Sequence, residues 1–229
     1  MLASLEVSTR SCSVALFDLE KGTAVAELAL STEQESSTTL LPGLEKLLKE
    51  KGLTPDSITA LAVAVGPGSF TGIRVGIATA EGFCMPHALP AYGISTLDGL
   101  AENLREAGVL GEALVLIDAQ RGECFVGRYQ VEAGSFKELE PAAIWTLQKI
   151  ADHLQEKTWV AGPGALKYET ELKNASNHKG QWVDSALHQP SALSLARIAY
   201  RQWKTGLRPS FESLKPLYLR IPAVDEKRP

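Results

Sequence analysis

Apolar residues in the first half of the chain fall into short runs broken by polar turns, and the spacing within each run predicts its element. Residues 2–7 read as a strand, Cys12–Asp18 as a second after the polar break at 8–11, and residues 24–30 as a third after a Glu-Lys-Gly turn. Leu40, Leu44, Leu47 and Leu48 then recur at helical spacing and predict a helix ending before Gly52. Pro42 lies inside that pattern and predicts a kink or a late start. Thr54-Pro55-Asp56 has the form of a capped turn with Pro at its first position. Residues 60–65 (ALAVAV) are continuously apolar, as in a strand buried on both faces. The Gly-rich turn Gly66-Pro67-Gly68-Ser69 leads into a helix reaching about Met85. Residues 90–94 form another strand, and Ser95 or Thr96 caps a helix carrying Leu97, Leu100, Ala101 and Leu104, closed by Gly108.

The second half repeats this order. Strands are predicted at 113–117, 124–130 and near 136–144. A helix carrying Leu147, Ile150, Ala151 and Leu154 follows, then a buried strand at 158–161. Gly162-Pro163-Gly164-Ala165 follows it as Gly66-Pro67-Gly68-Ser69 follows the earlier one. A terminal helix spans about 191–203. Arg10-Ser11-Cys12 and Arg121-Gly122-Glu123-Cys124 each open a second strand. The repeat predicts an α/β chain of two lobes: residues 1–108, residues 109–190, and a terminal helix and strand-like segment at 191–222 near the lobe interface. The charged tail, residues 223–229, is expected to be disordered. Two such lobes suggest the duplicated ASKHA architecture of actin, hexokinase and the Hsp70 ATPase domain, an analogy that by itself assigns no activity.

Composition narrows the function classes. The chain has 229 residues, 45% hydrophobic and 22% charged, with a net charge of -4. That is ordinary for a folded protein, and a mildly acidic one grips nucleic acid poorly by itself. Cys12, Cys84 and Cys124 are odd in number and in no metal-like spacing, so reduced thiols in a cytoplasmic protein are expected. No apolar run approaches the ~20 residues of a membrane span. Glu6 and Arg10 stand where a signal peptide would be apolar.

Nucleotide phosphates in the suggested architecture sit between the lobes, against the hairpin joining the first two strands of each. Such loops need Gly, so that backbone N–H groups approach phosphate, and Asp to hold a metal. The first loop, Ser8-Thr9-Arg10-Ser11, has neither and follows Glu6-Val7. The second, Asp118-Ala119-Gln120-Arg121-Gly122, has one of each. Half a surviving nucleotide site and two ordinary turns, with Asp118 as a turn cap, are the competing readings; the empty first loop favours the turns.

The turn at 66–69 is either an anion site at a helix N-terminus, with Arg74 nearby, or a tight strand-to-helix connection. It is no Walker loop, because the helix start lacks Lys. In the helix after it, Gly72, Gly76 and Ala80 recur every fourth residue beside the apolar stripe Ile73, Ile77, Ala80 and Cys84. Two helical glycines cost about 1 kcal/mol each relative to Ala, which close approach of another backbone would offset. That backbone belongs to the same lobe or to another chain. His87, His153, His178 and His188 form no His-x-x-x-His pair, and no Gly-x-Ser-x-Gly elbow is present, so hydrolase chemistry finds no support.

The run Gly66-Pro67-Gly68-Ser69-Phe70-Thr71-Gly72-Ile73-Arg74-Val75-Gly76 resembles the signature of the TsaB (YeaZ) family, whose catalytic paralogue is TsaD. Ser11-Cys12-Ser13-Val14-Ala15-Leu16, Leu40-Leu41-Pro42, Gly93-Ile94-Ser95-Thr96-Leu97, Asp118-Ala119 with Arg121-Gly122-Glu123, and Pro216-Leu217-Tyr218-Leu219-Arg220 extend the resemblance over most of the chain. It implies the two-lobe fold with a decayed site and no catalytic, cofactor or metal residues. It further implies a partner role beside TsaD in forming threonylcarbamoyladenosine next to the tRNA anticodon. TsaD, which in the family carries the metal on a His pair, would be the direct partner. The ATPase TsaE and tRNA would be reached through the complex, with no membrane association. The helices near 37–51 and 71–85 correspond to those the family uses for homodimers and for docking on TsaD, which implicates Leu40, Leu44, Leu47, Leu48, Gly72, Ile73, Gly76, Ile77 and Ala80 as partner interface.

Glu6 and Val7 depart from the family's usual Asp-Thr pair, Ser36 from a usual His, and Gln120 from a frequent Arg. All lie at the remnant interlobe site and weaken any nucleotide or metal binding there. The competing function is an ATP-dependent kinase, or a glycoprotease-like enzyme, of the same fold. A kinase needs Gly and Asp in both loops, and this chain shows them in one.

Overall fold

The computed structural model describes residues 1–30 and 36–220, with the backbone alone at 36–38. The charged tail at 223–229 lies outside the described residues. Strands β1 (Leu2–Glu6), β2 (Cys12–Asp18) and β3 (Thr23–Leu30) are followed by helix α1 (Ser36–Glu50), β4 (Ala60–Gly66), α2 (Phe70–Cys84), β5 (Ala91–Ser95) and α3 (Thr96–Glu106). Then come β6 (Gly111–Asp118), β7 (Glu123–Val131), β8 (Phe136–Thr146), α4 (Leu147–His153), β9 (Trp159–Ala161), α5 (Pro163–Lys167), α6 (Glu169–Ala175), β10 (Gln181–Trp182) and α7 (Ala192–Lys204).

The two sheets have one topology. The first runs β3-β2-β1-β4-β5 and the second β8-β7-β6-β9-β10 when read from the corresponding edge. In each, the first three strands pair antiparallel and the last two add in parallel to the first. The central strand β1 is buried along its whole length, with Leu5 facing Val14 on one side and Val63 on the other.

One face of the first sheet buries Leu5, Val14, Leu16 and Val63 under Leu40, Leu44, Leu47 and Leu48 of α1 and Ile73 and Ile77 of α2. Its other face buries Leu2, Phe17, Ala60 and Ala62 under Leu195, Ala196 and Ala199 of α7. The second sheet carries Leu97, Leu100 and Leu104 of α3 on Ala113, Val115 and Tyr129, and Ile150, Ala165 and Leu172 of α4, α5 and α6 on its opposite face. Each sheet is therefore covered on one side by its own helices and on the other by the helix that follows the other sheet's last strand. The crossing helices are riveted by Glu102, which is fully buried and takes paired hydrogen bonds from Arg105 of α3 and from Arg201 of α7 at 2.7 and 2.8 Å. Burial opposes ionisation of Glu102, but these guanidinium bonds outweigh it and hold the carboxyl below its ordinary range.

Helix α1 begins at Ser36 and runs through Pro42, so the late start that Pro42 predicts does not occur. Pro42 is exposed, and its ring leaves the packed leucine face undisturbed. The sequence pattern missed α5, α6 and β10, which are short. Among the described residues no helix is long and apolar enough to cross a membrane.

Helix α2 and the turn before it sit close on the chain just past β1 and on β4. A Cβ added at Gly72 would collide with the Val7 carbonyl oxygen, and one at Gly68 with that of Ser8. At Gly76 it would meet Val7 and Val63 methyl carbons at 3.0 and 3.2 Å. The small-residue stripe thus faces its own sheet. Gly82, one helix face away, has open space around it. Gly72→Ala is expected to destabilise the isolated protein by about 1–3 kcal/mol through overpacking against backbone. Gly82→Ala is expected to stabilise it by up to ~1 kcal/mol through helix propensity. Thermal melts check both, at roughly 2–4 °C per kcal/mol for a chain of this size.

Candidate functional site

The two hairpins expected to flank an interlobe site are both occupied by their own side chains. At the end of β1, Glu6 is fully buried and its Oε1 accepts from the backbone N–H of Ser8 at 2.7 Å and from the Ser8 hydroxyl. Thr96, the first residue of α3, donates its hydroxyl to Ser8 Oγ at 2.8 Å. Glu6 is thereby turned into its own loop, and its Oε2 has no hydrogen-bond partner within the chain. Burial pushes its carboxyl up to about 7 from the usual 4.5, against the lowering effect of the Ser8 bonds, and the negative charge of Glu27 adds to the rise. Burial and the Glu6 charge also raise the Cys12 thiol.

In the second hairpin Gln120, Arg121 and Gly122 all have left-handed backbones, with φ of 66, 59 and 74°. Asp118 accepts from the Gln120 N–H at 3.0 Å, the turn-capping role the sequence suggested. It also accepts from Lys167 Nζ at 2.6 Å and from the Tyr168 hydroxyl at 2.9 Å. Partial burial works against its ionisation, but these bonds hold it below the ordinary carboxylate range. Lys167 and Tyr168 had no signal in the sequence beyond their place after Gly162-Pro163-Gly164. Those glycines approach the Leu116 backbone as Gly68 approaches Ser8.

The turn at 66–69 resolves as a connection. Its Gly66-Pro67 peptide is cis, the Ser69 N–H donates to Ser8 O, and the Ser69 hydroxyl caps the helix by accepting from the Gly72 N–H. Arg74 turns away to lie over the Phe70 ring at 3.8 Å and donates to the Tyr218 hydroxyl at 2.9 Å. Of the histidines, His188 is buried with its ring nitrogens on the carbonyl oxygens of Gly162 and Val183. Cys12, Cys84 and Cys124 are free thiols, and burial pushes Cys84 up to about 11 and Cys124 to about 12. Among the described residues no group of three or more His, Cys, Asp or Glu is placed to hold a metal ion. Ser36 opens α1, and its side chain lies outside the described residues.

The residues expected at a partner interface lie beneath the outer surface of the α1–α2 pair. Leu40, Leu44, Leu47, Leu48, Gly72, Ile73, Gly76, Ile77 and Ala80 are all buried inside this chain, because the apolar and small stripes of α1 and α2 face the first sheet. They shape the helix pair from beneath. The outward face of α2 carries a second run of small residues, Val75, Ala78, Thr79 and Gly82, half-buried or exposed.

The family model described as "TsaD: tRNA N6-adenosine threonylcarbamoyltransferase" matches residues 28–203. The Escherichia coli (strain K12) "tRNA threonylcarbamoyladenosine biosynthesis protein TsaB" is 29% identical over 231 residues, covering 100% of this chain and 98% of that protein. The Haemophilus influenzae protein of the same description is 30% identical, covering 100% and 97%. The solved structure "YeaZ from Pseudomonas aeruginosa" superposes with a TM-score of 0.79 at 28% identity, over 95% of this chain and 99% of that one.

Glu6 supplies a pH test. Its folded carboxyl lies above its unfolded value, so its stabilising contribution is full below about pH 4.5 and is lost as pH rises through about 7. Glu6→Gln keeps the shape and cannot ionise. Relative to this variant, the parent protein is expected to lose about 2 kcal/mol between about pH 5.5 and 8.5, read as a narrowing or reversal of their difference in melting temperature.

Proposed function

The chain belongs to the TsaB family of tRNA threonylcarbamoyladenosine biosynthesis proteins, within the wider TsaD family, and we propose that it serves as the non-catalytic partner of a TsaD-type transferase. The observation that carries this reading is that both hairpin carboxyls are engaged inside the chain: Glu6 through Oε1 on Ser8, Asp118 on Lys167, Tyr168 and Gln120. The kinase and glycoprotease readings have no comparable support.

The docking surface in this reading is the outer face of the α1–α2 pair. Val75, Ala78, Thr79 and Gly82 form a low seam into which a partner helix can settle closely. Leu41 of α1 adds an exposed apolar side chain, at 46% exposure. The same face serves a homodimer when the transferase is absent. The ATPase TsaE and tRNA are engaged through the complex, in the cytoplasm. The matching sheets are read as duplicated lobes of the actin-like ASKHA class, divided at 1–108 and 109–190 with the segment 191–222 returning to the first lobe.

Reconstituted threonylcarbamoylation of tRNA by the transferase tests the proposal. Adding this chain is expected to raise the rate. Ala78→Arg is expected to weaken binding to the transferase about 10-fold or more by wedging a charged side chain into the seam. Its melting temperature should stay within about 1–2 °C of the parent, since Ala78 is exposed. Unchanged binding by that stable variant would place the interface elsewhere.

A further inference from the structure

Between α7 and residue 220 the described chain has little regular structure, yet its contacts follow an order. Leu214 is buried in the core of the first sheet. The Leu217 N–H donates to the Val65 carbonyl at 2.7 Å, where β4 ends, and the Leu217 carbonyl lies over Gly66, 2.9 Å from where a Cβ would stand. The Tyr218 ring stacks on Phe70 at 5.3 Å and 28°, and its hydroxyl accepts from Arg74. One residue on, Leu219 packs against the core of the second sheet. Arg220 then donates to the Ala119 carbonyl at 2.9 Å and pairs with the Glu123 carboxylate, both at the second hairpin. Four consecutive residues therefore pass from the end of β4 and the head of α2 to the hairpin between β6 and β7.

We propose that residues 217–220 are a strap that ties the first sheet to the second hairpin and couples the head of α2 to it. The crossing helices α3 and α7, joined through Glu102, and the Ser8–Thr96 bond at the first hairpin hold the sheets together, and the strap adds a tether at the second hairpin. A tether at the second hairpin limits relative motion of the sheets at the end that the first hairpin does not reach. The strap's own anchors are few: one backbone bond, a ring stack and the Arg74 bond at one end, and Leu219 with the Arg220 guanidinium at the other. It belongs to the class of segments that open at low cost, and releasing either end should free the other. Phe70 and Arg74 head the helix proposed above as the docking face. A partner settling there would be felt at the second hairpin through Tyr218. This last step rests on the docking reading; the strap does not.

Hydrogen exchange on the full chain, without any partner, tests the coupling by cutting one end and reading the other. Tyr218→Ala removes the anchor on Phe70 and Arg74. It is expected to speed exchange about tenfold at the Ala119 and Glu123 amides, which are bonded within the second hairpin. Arg220→Ala removes the hairpin anchor and is expected to speed exchange similarly at the Leu217 amide. Amides of α4, remote from both ends, serve as the reference. Should α4 also exchange faster, Tyr218→Phe, which keeps the ring stack, and Arg220→Gln, which keeps much of the stem, replace the first pair. Faster exchange at the far end with α4 unchanged supports the strap. Exchange altered only at the mutated end, or at neither, overturns it.

Discussion

The head of helix α2 rests directly on the backbone of Val7 and Ser8, just past the end of β1, and the arrangement of the first sheet follows from that contact. Gly68 and Gly72 have no room for a Cβ against the carbonyl oxygens of Ser8 and Val7, and Gly76 has barely room against Val7 and Val63. With the helix seated this deep, Ile73 and Ile77 reach the sheet and interlock with the leucines of α1. The glycines' cost in helix propensity is offset by burial along this seam. The seating also fixes which face of α2 is left outward, so the internal packing and the proposed docking surface share one cause.

The same contact brings the turn at 66–69 against the first hairpin, where Ser69 donates to Ser8 O. Glu6, Ser8 and Thr96 then close into a buried chain of hydrogen bonds linking β1 to the head of α3. Since α3 lies on the second sheet, a hairpin that carries no phosphate-binding glycine works as a joint between the two sheets. The second hairpin has a comparable role, with Asp118 drawn to Lys167 and Tyr168 and with Arg220 bound at Ala119. Glu6 Oε1 and Asp118 thus serve contacts that hold this chain together.

Much of this was legible in the residues. Strand and helix order followed from apolar spacing, and the repeated Gly-Pro-Gly turns pointed to two sheets of one topology. Three things were not legible, each for a physical reason. The direction of the Gly72–Gly76 stripe depends on which backbone lies beneath it, and spacing alone does not distinguish a strand of the same sheet from another chain. The exchange of α3 and α7 between sheets is a tertiary fact invisible to local periodicity. The partners of Asp118 come from about fifty residues away, on a helix too short to show a period.

Calorimetric titration of the purified chain tests the central claim most directly, first with Mg-ATP and then with the TsaD-type transferase of the same organism. Saturable heat with the transferase and none with Mg-ATP is the predicted result. Micromolar binding of Mg-ATP to this chain alone, with no heat on adding the transferase, would contradict it.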